Sequence, residues 1–104
     1  MLSTPKEAVV VEDSKVTRKL LLKLQEIEKS LEYGSSKLVQ PAFPGVVDPI
    51  TVEGYGPEQI DFHLKLFVVR HLVETGITGG SPQIGIYFSR LTEAGRHGAL
   101  GLNS

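Results

Sequence analysis

Apolar residues in the first third of the chain recur at helical spacing. Leu20, Leu24, Ile27 and Leu31 stack on one face of a segment that Asp13 or Ser14 would cap, through a short side-chain oxygen accepting an orphan first-turn N–H. Lys15, Arg18, Lys19 and Lys23 fall toward the other side, and Glu26 and Lys29 continue that surface. A second helical pattern opens at Pro57, whose fixed φ and missing N–H suit a first helical position after a Gly56 N-cap. Ile60, Leu64, Phe67 and Val68 form its inward stripe. Leu72 and Val73, ahead of Glu74-Thr75-Gly76, then read as a short strand. Beyond the turn residues Ile77 to Pro82, the alternation of Ile84, Ile86 and Phe88 with Gly85, Tyr87 and Ser89 predicts a second strand. Ile50-Thr51-Val52 is the third strand candidate, so the expected sheet is Ile50–Val52, Leu72–Gly76 and Ile84–Arg90. A last helix, capped by Thr92, is loosened by Gly98 and Gly101.

Helix, hairpin and short helix in that order predict an α+β fold of winged-helix type. The 104 residues suffice for one domain over 1–104, with a core that needs neither metal nor crosslink. Residues 1–13, with the apolar cluster Ala8-Val9-Val10-Val11, are expected to form a tail or an edge strand. Residues 33–49 are dense in glycine, proline and serine and read as a long connection, with Leu38, Val39, Val46 and Val47 available for short extended pieces.

The segment Gln59-Ile60-Asp61-Phe62-His63-Leu64-Lys65-Leu66-Phe67, followed by Leu72-Val73-Glu74 and by Leu91-Thr92-Glu93-Ala94-Gly95, resembles an uncharacterised winged-helix family of small bacterial and phage proteins. Its members pair an aromatic and a histidine in mid-helix with a leucine-rich tail, a strand and a Leu-Thr-x-x-Gly start to the last helix. The likeness covers 52–100 well and 13–31 loosely. It implies a fold, with DNA binding as the activity most often associated with it. Where the family closes the central helix with alanine and glycine, this chain has Arg70-His71, so a left-handed C-cap must be made by histidine or replaced. Gly56 likewise stands where the family prefers a serine-like N-cap.

Charge narrows the function. A net charge of -1 gives no global field toward nucleic acid or anionic membrane, so DNA affinity must come from a local patch. The absence of cysteine excludes disulfides, thiolate metal sites and a thiol nucleophile. No basic region leads into a long apolar core at the start and no run is long enough to span a bilayer, so the expected location is cytoplasmic, without a membrane partner.

The residues offered to DNA are Lys15, Arg18, Lys19, Lys23, Lys65 and Arg70, touching phosphates; the wing Thr78-Gly79-Gly80-Ser81-Pro82-Gln83 has no Lys or Arg for a minor groove. Binding is therefore expected to be weak and poor in sequence information. On the central helix, Phe62, Leu66 and Val69 gather nearly opposite the inward stripe. A groove-reading helix should not turn such residues outward, so this stripe is expected to be covered, either by Val9 to Val11 and the Tyr33 to Pro49 loop or by a second copy in a homodimer. His63, His71 and His97 lack the spacing of a metal-binding helix, and His63 is expected at the helix surface or half-buried, hydrogen-bonded to a neighbour. No nucleophile elbow, Walker loop or dinucleotide fingerprint is present, so no enzyme and no cofactor is expected. Two roles follow: a DNA-associated, transcription-regulator-like factor, or a protein-interaction module that is dimeric or part of a phage or host complex.

Overall fold

A computed structural model describes residues 11–76 and 82–101. Three helices, α1 (Ser14–Ser30), α2 (Pro57–Val69) and α3 (Glu93–Ala99), accompany three short strands, β1 (Lys37–Val39), β2 (Val73–Thr75) and β3 (Ile86–Leu91). The fold is α+β, with one antiparallel sheet ordered β1-β3-β2. Among the described residues no helix is long and apolar enough to cross a membrane. The apolar cluster Ala8 to Val10 and most of the wing lie outside the described residues.

The core gathers the faces that the periodicity marked. Val16, Leu20, Leu21 and Leu24 of α1 meet Ile60, Leu64 and Phe67 of α2 and Ile86, Phe88 and Leu91 of β3, all buried. β3 needs an irregularity to do this. Thr75 pairs with Phe88 while Glu74 pairs with Arg90, which leaves Ser89 as an extra residue. That bulge resets the alternation, so Leu91 points inward although it lies three residues after Phe88.

The caps follow the local sequence. Asp13 caps α1 by accepting from the N–H groups of Lys15 and Val16, and Thr92 caps α3 by accepting from Gly95 N–H. The α2 C-terminus closes with His71 in the left-handed region (φ 59°), its N–H donating to Val68 O and the Leu72 N–H donating to Phe67 O. This is the double hydrogen bond of a Schellman closure, formed on histidine where glycine would carry no Cβ penalty. Because His71 is exposed, we expect His71→Gly to raise stability by about 1 kcal/mol, read as a higher urea midpoint with an unchanged slope.

Two expectations need correction. Ile50–Val52 is not a strand: the third strand is Lys37–Val39, which pairs with β3. Ile50 and Val52 are buried as apolar plugs, with Ile50 N–H on Gln40 O. Their ladder is cut off on both sides, by Pro49, which has no N–H, and by the turn that Tyr55 N–H closes on Val52 O. The other two strands are shifted, since Leu72 belongs to the helix closure and the ladder of β3 begins at Ile86.

Candidate nucleic-acid interface

The six basic residues proposed for DNA contact divide into two groups. Lys15, Arg18, Lys19 and Lys23 project from the solvent face of α1, all exposed, and among the described residues none of them reaches a carboxylate. Lys15, Lys19 and Lys23 step along the helix every four residues, about 6 Å apart in rise. Arg18 joins them beside a cleft of about 320 Å³ lined by Ser14, Thr17, Gly98 and Gly101.

Lys65 and Arg70, on α2, are committed elsewhere. Lys65 Nζ lies 3.1 Å from both Asp61 oxygens and donates to Gln83 O at 3.1 Å. Asp61 Oδ1 also accepts from Gly85 N–H at 2.7 Å. The pair thus moors the loop that leads into β3, and its charge is neutralised in place. Arg70 makes a two-pronged pair with Glu12, the second prong at 2.7 Å. Downstream, Arg90 pairs with Glu74 at 3.0 Å, and Arg96 pairs with Glu28 at 3.0 Å. Among the described residues, the basic side chains without a carboxylate partner therefore sit on α1 and not on the helix expected to enter a groove.

The outer stripe of α2 is only partly covered. Phe62 and Leu66 are half-buried, whereas Val69 is 73% exposed. Glu12 and Asp13 run beside this helix through their bonds to Arg70 and His63, and Val11, next in line, remains 57% exposed. The connection is not a general cover either, because Tyr33 and Val47 are almost fully exposed.

His63 departs from expectation. It is fully buried and bonded at both ring nitrogens, to Gln59 O at 2.7 Å through Nδ1 and to Asp13 N–H at 2.9 Å through Nε2. At 100° per residue its position falls between the directions of Phe67 and Leu66, on the border of the inward stripe, so the wheel alone does not decide its burial. His71 and His97 are exposed. Among the described residues no three metal-ligating side chains converge.

Asp13 is the node that sequence reasoning gave only a capping role. Its Oδ1 receives Lys15 N–H at 2.8 Å and its Oδ2 the Tyr55 hydroxyl at 3.3 Å. The Lys15 N–H above all holds the carboxyl below its ordinary value; partial desolvation opposes this, and the Val16 N–H and the Tyr55 hydroxyl reinforce it. Burial and the Asp13 charge push the Tyr55 phenol up. A carboxyl with a lowered folded pKa stabilises the fold above its unfolded pKa, and that stability is lost as pH falls through the folded value. We therefore expect the stability advantage of the native protein over Asp13→Asn, which caps but does not titrate, to shrink as pH drops below about 4. Urea unfolding of both proteins across pH checks this. Comparison with protein-family models, curated proteins and solved structures finds no match for the chain.

Proposed function

We propose that this is a cytoplasmic winged-helix protein of the regulator type, associated with DNA through phosphate contacts made by α1. The fold reading is supported by the order helix, strand, helix, strand pair, helix, and by the Leu91-Thr92 and Gly95 residues at the start of α3. The observation that carries the function is the segregation of charge: four cations share one exposed face of α1 without a carboxylate partner among the described residues, while the two on α2 are paired. Cations placed on phosphates supply position and charge but do not read base edges, so affinity through such contacts is sequence-independent. From Lys15 to Lys23 the helix rises about 12 Å, against roughly 3.4 Å of axis per phosphate on one strand of a duplex.

Fluorescence anisotropy on a short duplex tests this. Replacing Lys15, Lys19 and Lys23 together by glutamate is expected to weaken binding by about 100-fold or more at low salt, whereas Lys65→Gln should change it less than about threefold. Scrambling the duplex sequence should leave affinity unchanged. Loss of binding on Lys65→Gln with no effect of the α1 triple substitution would overturn the assignment.

A second reading is favoured by one observation. Val69 is exposed beside half-buried Phe62 and Leu66, so the solvent face of α2 suits a protein contact, including a second copy of this chain, better than a groove. Sedimentation of the native protein and of Val69→Lys separates the two: a dimer abolished by Val69→Lys would assign that face to self-association.

A further inference from the structure

His63 is a fully buried polar side chain in an otherwise apolar core, and both of its ring nitrogens are in use. The carbonyl of Gln59 has no proton, so Nδ1 must donate to it; Nε2 then carries the lone pair and accepts the Asp13 N–H. The ring in this arrangement is neutral, in its Nδ1–H tautomer. Several groups surround it. From the segment before α1 comes Asp13, whose carboxylate holds the Tyr55 hydroxyl of the loop before α2; its chain neighbour Glu12 is paired with Arg70. On α2 itself lie the Gln59 carbonyl and the Phe62 ring, edge-on with centroids 5.4 Å apart.

We propose that His63 is a proton-operated latch, which in its neutral form fastens the N-cap residue of α1 to α2 and on taking up a proton releases the start of α1. An imidazolium donates at both nitrogens, so Nε2–H would face the Asp13 N–H donor to donor. The Asp13 carboxylate is the neighbouring anion that would draw the new proton, but its oxygens already hold the first-turn N–H groups and the Tyr55 hydroxyl. Turning it to the imidazolium takes it off the cap. Both routes end with the first turn of α1, which carries Lys15, unfastened immediately before Lys19 and Lys23. The latch rests on the packing of α1 against α2 and holds whether or not α1 binds DNA.

Amide exchange on the full-length, isotope-labelled protein tests it. As pH is lowered from about 7.5, the protection of Asp13, Lys15 and Val16 is expected to fall about tenfold relative to Leu21 and Leu24 where the ring takes up its proton, the size of one lost hydrogen bond. In His63→Gln, whose side-chain oxygen can accept the same N–H and takes no proton, the ratio should stay flat. The Asp13 carboxyl, held below its ordinary value, remains ionised throughout and does not confound the comparison. The imidazole nitrogen signals of the native protein give a second reading should His63→Gln fail to fold: proton uptake on Nε2 and the loss of Asp13 protection must share one midpoint. Unchanged protection in the native protein, the same decline in His63→Gln, separate midpoints, or a ring already protonated on Nε2 at neutral pH would each overturn the latch.

Discussion

Alanine at position 85 is expected to remove about 4 kcal/mol of stability, a large part of the total for a domain of this size. Gly85 has φ 84°, and a Cβ there would lie 2.1 Å from Val39 O and 2.9 Å from Gln40 Cα. Those atoms are backbone at the end of β1, so relief requires β1 and β3 to part. The same residue donates its N–H to Asp61, and the separation would break the mooring of the loop on α2 as well. Gly34 provides the control, because its φ is 87° and nothing lies within 4 Å of its would-be Cβ. Gly34→Ala isolates the left-handed strain, about 1 kcal/mol. Urea unfolding of both variants measures the difference. Equal losses would show that the approach of Gly85 to β1 is not rigid.

Gly95→Ala is the second large effect, expected at about 3 kcal/mol or more and a fall in Tm of roughly 15 °C. On helix propensity alone, alanine should stabilise α3 by up to about 1 kcal/mol. Sterics decide the sign, since a Cβ on Gly95 would stand 2.0 Å from Leu72 O. That carbonyl is fixed in place: it accepts Thr92 N–H at 3.0 Å, while the Thr92 hydroxyl donates to His71 O at 2.7 Å. The closing turn of α2 is thus seated on the first turn of α3, and Gly95 is where the two backbones touch. Thermal unfolding with a stability gain in Gly95→Ala would contradict this seating.

Local chemistry made most of this fold legible. Asp13, Pro57 and Thr92 announce three helix starts because each supplies what an N-terminus lacks or tolerates, and these requirements are the same in any fold. The Leu-Thr-x-x-Gly pattern was visible, and its physical basis is the contact of Gly95 with Leu72 O. The third strand does not follow propensity: Ile50-Thr51-Val52 has the better β-forming residues, yet pairing depends on which segment reaches the open edge of β3. Lys37-Leu38-Val39 reaches it from within a stretch of turn residues. At the candidate interface the Asp61–Lys65 pair was readable at i, i+4, and it withdraws Lys65 from the list of available cations. The Glu12–Arg70 pair spans 58 positions, and no sequence rule brings those residues together.

The salt dependence of duplex binding addresses the α1 face most directly. With four cations on phosphates, a plot of log affinity against log salt should have a slope of about −3 to −4, so that raising salt from about 50 mM to about 200 mM costs roughly 100-fold, and the Lys15, Lys19 and Lys23 triple glutamate variant should flatten the slope to about −1 or less. A slope near zero in the native protein, or a steep one that survives the triple substitution, would contradict the account.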